Sequence, residues 1–393
     1  MQRANGHVQR IGRRHIRAGR YEACQRTSTS HLRREKFGKF NRLAASAAGE
    51  ISVSKASAAI PTRPGLTIVE MINAAALGEI KGLYFMGENP AMSDPDAGHV
   101  REALCRLDHL VVQDIFLTET AALADVVLPT TSMFEKWGSF TNTNRQVQLS
   151  RPVLPAPGDA QQDLWVLQEM ARRLGLKWSY AHPSEVWDEV RSLWPAVRGI
   201  RWDRLERDGW CQYPCVSEEG QGEDVLLGER CDTHDGLAKL VPVEPIGPAE
   251  ATDESYPYIL LTGRMLEHWH TGVMTRRSHV LDELEPEAFL CMNGQELTAL
   301  GANIGDEMRV ASRPGTITAK ARLDDSLPAG TIFMPFCYAE AAANILTNSA
   351  LDPESKIPEY KYAAVRIERA GPGDGSGESR VALTASAGRQ SAQ

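Results

Sequence analysis

From residue 65 the chain shows two kinds of apolar spacing. Over 67–77, Ile68, Met71, Ile72, Ala75 and Ala76 share a helical face and Gly78 ends the run, so an amphipathic helix is predicted. Apolar runs at 81–86, 109–113 and 124–128 predict short buried strands. A helix over 95–107 and a helical turn at 118–122 fall between them. Strands alternating with helices imply a parallel sheet with covered faces. The stretch 135–148 is polar and reads as a loop, 163–174 and 183–193 as amphipathic helices, and 237–242 as a short strand entering a Pro-rich linker, 242–257. Beyond the linker the pattern shortens. Strands are predicted at 258–261, 288–292, 307–312, 315–321 and 330–334, with a helical turn at 294–300. Asn303-Ile-Gly-Asp306 and Arg313-Pro-Gly315 are turn signals. Short strands at regular intervals predict a closed β-barrel.

Four segments follow from this pattern: a basic, disordered N-terminal segment and linker at 1–63, an α/β domain at 64–241, a β-barrel at 256–369 and a disordered tail at 370–393. Residues 1–36 hold ten Lys/Arg against two Glu, a net of +8. The whole chain is at −8, so the remainder carries −16. That acidic body argues against nucleic acid as a partner. Arg13-Arg14 is followed by no apolar stretch, which excludes an export signal, and residues 32–41 read as a short helix. No run of eighteen apolar residues exists, so no membrane partner is expected. The seven cysteines are scattered, which predicts reduced thiols and a cytoplasmic location. Cys211 and Cys215 have no second pair at cluster-ligand spacing, so no iron–sulfur cluster is expected.

Candidate chemistry concentrates where strands end. After 258–261 come Gly263, Arg264, His268, His270, Thr271, Met274, Thr275, Arg276 and Arg277. Guanidinium forks, imidazoles, hydroxyls and backbone N–H groups suit a polyanionic heteroaromatic ligand, although a solvated basic turn carries the same residues. Gly87-Glu88-Asn89 follows the first strand of the α/β segment, at the carboxyl edge where open sheets bind ligands. Asp114 ends the second strand; it either accepts two hydrogen bonds from a guanine edge or caps the following turn. Thr118 is a cap or a phosphate ligand, and Asn142 and Arg145 are cofactor-shell or solvated loop residues.

The wording of 262–277 resembles the C-terminal domain of molybdopterin-dependent oxidoreductases, especially formate dehydrogenase catalytic (alpha) subunits. Matching segments follow in order: Tyr84-Phe-Met-Gly-Glu-Asn-Pro90, Gln113-Asp-Ile-Phe-Leu-Thr-Glu-Thr120, Ala124-Asp-Val-Val-Leu-Pro129, Gly138-Ser-Phe-Thr-Asn142, Phe333-Met-Pro-Phe336, Ala342-Ala-Asn-Ile-Leu-Thr-Asn348 and Ile357-Pro-Glu-Tyr-Lys361. The resemblance covers roughly 64–368, leaving out the N-terminus. It implies a double-psi barrel and molybdopterin guanine dinucleotide carrying Mo or W. It also implies cofactor contacts at Gly87, Glu88, Asn89, Asp114, Thr118, Asn142, Gly263, Arg264, His268, His270, Thr271, Met274, Thr275, Asn344, Tyr360 and Lys361. Such enzymes oxidise formate to CO2 with a Cys or selenocysteine metal ligand beside a His, a substrate-orienting Arg and an iron–sulfur cluster, none of which has a match here. No catalytic residue and no metal ligand is therefore expected in this chain. Formate oxidation is expected only with the missing N-terminal half or other formate dehydrogenase subunits as partners. The alternative is a non-catalytic cofactor-binding or assembly module, or the inert product of a truncated gene.

Overall fold

The computed structural model describes residues 65–231, 233–242, 244–353 and 356–371. The expectations for 1–63, the helix at 32–41 and the tail from 372 lie outside them. The chain divides into two compact units, one built from 66–127 together with the chain from 247 onward, the other from 128–246.

In the first unit, α1 (Ile68–Ala76) buries Val69, Met71, Ile72 and Ala75, and Thr67 N–H donates to the Glu70 carboxylate at 2.7 Å to fix its start. Strand β1 (Gly82–Met86) leads through the short α2 (Pro90–Ser93) to α3 (Ala97–Cys105) and β2 (His109–Asp114). Then come α4 (Glu119–Leu123) and β3 (Val126–Pro129). The sheet order is β1-β2-β3, and β1 pairs with β2 in parallel from Gly82↔His109 to Met86↔Gln113. Leu83, Phe85, Leu110 and Val112 from the strands pack with Ile72 and Leu104 from the helices. These are the residues whose apolar spacing predicted the elements.

The same unit contains the barrel. Its strands are β7 (Tyr258–Gly263), β8 (Phe289–Met292), β9 (Glu307–Ala311), β10 (Thr316–Leu323), β11 (Thr331–Pro335) and β12 (Ala363–Arg369), closed in the order β10-β8-β11-β7-β12-β9. Pairing is mixed: β7–β11 and β8–β10 run parallel, the rest antiparallel. Alternate residues fill the interior, with Leu260, Leu290, Met308, Val310, Ile332, Met334 and Val365 fully buried. Burying a side chain of this size stabilises by about 1.5–3 kcal/mol.

The second unit holds a three-stranded antiparallel sheet, β4 (Gly138–Thr141), β5 (Gln146–Ser150) and β6 (Trp210–Gln212). Three helices join it, at Asp163–Arg173, Pro183–Leu193 and Trp202–Asp208. Its core is Val147, Val197, Ile200, Leu205, Cys211 and Cys215, edged by Trp187 and Trp194.

Several expectations need correction. The polar stretch 135–148 is largely a hairpin, not a loop: β4 and β5 pair antiparallel, and Val147, with Leu149 beyond the stretch, packs β5 onto the core of this unit. No strand forms at 237–242; Leu237, Leu240 and Val241 are exposed, so nothing rewards extended pairing there. Strand β12 was not anticipated, although Val365 and Ile367 alternate with polar residues. By contacts, the β1–β3 segment shares a compact unit with the barrel. Buried polar ties explain this: Asn344 Nδ2 donates to Met92 O at 3.2 Å and Ser93 O at 2.9 Å, and Asp96 N–H donates to Thr347 O at 3.0 Å.

Candidate functional site

At the carboxyl edge of the sheet, Gly87 has φ +65 and nothing within 4 Å of where a Cβ would stand. A ligand can reach this backbone directly. Glu88 beside it is exposed. Asn89 is buried, and its amide is spent internally: Oδ1 accepts from Thr120 N–H at 3.0 Å and Oγ1 at 2.8 Å, while Nδ2 donates to Glu119 at 2.6 Å. Thr118 caps α4, its Oγ1 accepting from Ala121 N–H at 3.2 Å. Asp114 Oδ1 accepts from Ile115 N–H at 2.7 Å and Phe116 N–H at 3.3 Å. Asn89 and Thr118 therefore shape the edge rather than line it, and one oxygen of Asp114 holds the following turn.

At the barrel rim the basic residues divide by partner. Arg276 sits 2.6 Å from Asp282 and 3.0 Å from Glu340, with its guanidinium 4.6 Å from the centre of the Tyr338 ring. Arg277 donates to Leu117 O at 3.2 Å and lies 4.9 Å from the Phe116 ring centre. Both are committed to the fold. Arg264 is exposed, and among the described residues its contact is the Trp269 ring, 6.0 Å away. Lys361 makes one long bond, 3.4 Å to Thr262 O, and stands 5.5 Å from the Phe336 ring centre. His270 packs edge-on against the same ring at 5.3 Å, with φ +53. Burial, with the Arg264 and Lys361 charges close by, holds its imidazole below the usual range, so it is neutral near pH 7.

His268, expected at the ligand, is 1 % exposed and turned inward. Its Nε2 lies 2.9 Å from Glu285 O and its ring meets Tyr338 edge-on. Thr275 Oγ1 accepts from Trp269 N–H at 2.9 Å and so fixes the loop. Thr271 is half-buried and Met274 exposed on that loop. Gly263 is buried where a Cβ would meet the Phe333 ring at 2.3 Å, which explains glycine there by packing. Tyr360 receives the Thr262 hydroxyl on its carbonyl, and burial pushes its phenol well above the ordinary range. Asn344 is the buried tie to Met92 and Ser93. Asn142 lies in the other compact unit, where its side chain closes the β4–β5 turn on Gln146 at 2.9 and 3.0 Å.

Two features escaped the sequence reading. Phe336 forms an aromatic floor under both His270 and Lys361. Asp94 is 6 % exposed, and its Oδ2 has no hydrogen-bond partner among the described residues. Ser93-Asp94-Pro95-Asp96 reads as an ordinary turn, so only burial marks Asp94 out. Among the described residues no group of three or more His, Cys, Asp or Glu is placed to hold a metal ion.

Comparison with known proteins fits this geometry. A family model for molybdopterin oxidoreductase matches residues 7–173 and one for the molydopterin dinucleotide binding domain matches 258–364. The first match begins inside the basic segment, further toward the N-terminus than the sequence resemblance reached. The chain belongs to the molybdopterin oxidoreductase family. It is 48 % identical over 307 residues to the F420-dependent formate dehydrogenase subunit alpha of Methanocaldococcus jannaschii, covering 78 % of this chain and 45 % of that protein. It is 36 % identical over 316 residues to the assimilatory nitrate reductase catalytic subunit of Bacillus subtilis, covering 78 % and 44 %. The chain thus spans less than half the length of these relatives. The acetylene hydratase from Pelobacter acetylenicus shares the fold, with a TM-score of 0.61 at 19 % identity, covering 78 % of this chain and 47 % of that one.

The residues present fit a pyranopterin dinucleotide. Two weakly engaged cations and a neutral imidazole match its phosphates and ring edges. The open backbone at Gly87 matches a close approach, and the orphaned Asp94 oxygen awaits a polar partner.

Proposed function

We propose that this chain is the cofactor-holding portion of a formate dehydrogenase of the molybdopterin type, carrying molybdopterin guanine dinucleotide with Mo or W. The observation that carries the reading is the rim pair Arg264 and Lys361. Both are exposed and stand over aromatic rings, whereas the neighbouring Arg276 and Arg277 are tied down. The higher identity to a formate dehydrogenase than to a nitrate reductase favours formate as substrate.

When bound, the cofactor supplies the two-electron redox chemistry. Arg264 and Lys361 neutralise its phosphates, His270 offers an uncharged ring to its edge, and Gly87 admits it to the sheet edge. Asp114 and Tyr360 flank the same entrance. Glu88, Thr271 and Met274 complete the contact set on exposed loops. Asn89, Thr118, Gly263, His268, Thr275 and Asn344 hold the surrounding backbone in place. Turnover requires further formate dehydrogenase polypeptide that provides the thiolate or selenolate metal ligand and the iron–sulfur cluster; this chain carries neither in the proposal. The protein works in the cytoplasm, without nucleic acid or a membrane as partner.

Each charge-assisted bond to phosphate contributes roughly 1.5–3 kcal/mol, so one lost cation weakens binding at least tenfold. The test is to produce the chain in cells that make the cofactor and to measure molybdenum and pterin after purification. Arg264→Ala and Lys361→Ala should each lower retention about tenfold or more. Unchanged content in both variants would overturn the assignment of the rim.

A further inference from the structure

The acid at the seam between the sheet edge and the barrel loops, whose orphaned oxygen fits a polar ligand, is given no contact in the function proposed above. Asp94 ends α2, where its N–H donates to Pro90 O at 3.2 Å. The carbonyl just before it accepts from Asn344, and the N–H of Asp96 just after it reaches Thr347 O. Backbone on both sides of Asp94 is thus pinned to the barrel loop 344–347. Its Oδ1 accepts from Ser93 Oγ at 3.3 Å, and its Oδ2 is buried without a hydrogen-bond partner among the described residues. The groups felt at Asp94 are Ser93 and Glu88 on its own loop and Tyr360 from the barrel side. Among the described residues no cation is one of them. An ionised carboxylate in this position would be buried, unpaired and beside Glu88, at the entrance to a site for a polyanion.

We propose that Asp94 is a cofactor-positioning residue that works as the neutral acid, donating a hydrogen bond from Oδ2 to an oxygen of the bound anion, so that cofactor retention is coupled to one proton. The inference rests on the functional reading above. Burial is the main force keeping the proton on, Glu88 adds to it, and the Ser93 hydroxyl works weakly against it; together they push the carboxyl up to about 7. Ionisation removes the donor and sets a negative charge against the ligand.

The test uses the full chain purified with molybdopterin guanine dinucleotide bound. Loss of the cofactor into filtrate is followed by molybdenum content and pterin fluorescence at pH 6 and pH 8. If only the protonated form holds the cofactor, its population and the retention fall about tenfold between those values. Asp94→Asn keeps a donor and cannot ionise, so it should retain cofactor equally at both pH values. Asp94→Ala should retain less than the wild type at pH 6 and show no pH step. Circular dichroism confirms that each variant is folded, and the wild type gives the pH step against which either folded variant is read. A wild-type chain that holds cofactor without a pH step overturns this inference and leaves the functional reading intact, as does an unchanged step in Asp94→Asn. A wild-type chain that holds no cofactor at either pH overturns the functional reading and this inference with it.

Discussion

Asn344→Ala separates a ligand from a structural tie. In sequence, Asn344 lies in a stretch resembling cofactor-binding loops. In the structure its amide is buried and gives hydrogen bonds to Met92 O and Ser93 O, joining the loop after β11 to the end of α2. Alanine removes two made bonds and leaves two carbonyls short of a donor at a site water barely reaches. A made bond contributes about 1 kcal/mol, and an orphaned acceptor costs about 1–3 kcal/mol. Because bonds to two carbonyls are lost together, the expected destabilisation is on the order of 2–4 kcal/mol. Asn344→Asp should be worse, since it turns an acceptor with negative charge toward the same carbonyls. Urea unfolding of the cofactor-free chain reads both variants against the wild type. A loss below about 1 kcal/mol in Asn344→Ala, together with abolished cofactor retention, would refute the argument and return Asn344 to the ligand shell.

Two further outcomes are expected. Gly272 has φ +75, and a Cβ there would stand 2.6 Å from both Cys337 O and Arg276 Cγ. Gly301 has φ +60 with open space around it. Gly301→Ala should cost about 1–2 kcal/mol for the left-handed backbone alone, and Gly272→Ala an additional 1–3 kcal/mol, roughly, for the overlap. Equal thermal shifts in the two variants would remove the packing explanation. Asp94 also makes stability depend on pH. Its carboxyl is held at about 7 in the folded chain, against about 3.9 when unfolded. Between those values the folded state keeps a proton that the unfolded chain has released. Its contribution is therefore fully present below about pH 4 and lost as pH rises through 7, a change on the order of 4 kcal/mol. The stability difference between wild type and Asp94→Asn should fall across that window and level off above it; a constant difference would contradict the raised pKa.

The fold was legible where spacing alone decides burial. Ile72, Leu83, Val112, Leu260 and Ile332 are inside because their elements have one apolar stripe or alternate face. Elements that depend on a distant partner were not. The 138–150 hairpin has little apolar alternation, and its pairing with Trp210–Gln212 brings together residues far apart in sequence. The predicted strand at 237–242 fails for the converse reason: its apolar residues find no partner and stay exposed. At the candidate site the residue types were legible and their engagements were not. Asp114 was open between capping its turn and meeting a ligand; the turn takes one oxygen through Ile115 and Phe116. Asn89 looks like a free amide in the sequence, yet Glu119 and Thr120 occupy both its ends.

The three arginines at the rim show why composition could not finish the assignment. Arg264, Arg276 and Arg277 are alike as sequence symbols, and a loop carrying all three suggests three phosphate clamps. A guanidinium serves an incoming anion only if its charge and its five donors are not already answered. Asp282 and Glu340 answer Arg276 from separate segments of the chain, and the Tyr338 ring covers its face. Arg277 is spent on the carbonyl of Leu117, which makes it a tie between the barrel loop and the turn before α4. That leaves Arg264, whose partner is an aromatic ring that supports the cation without neutralising it. Lys361 and Phe336 repeat the arrangement from the far end of the chain. In the proposed function, the anion-binding capacity of the rim depends on which cations the fold leaves without a carboxylate or a close backbone carbonyl, and that choice is made in large part by residues outside the basic stretch itself.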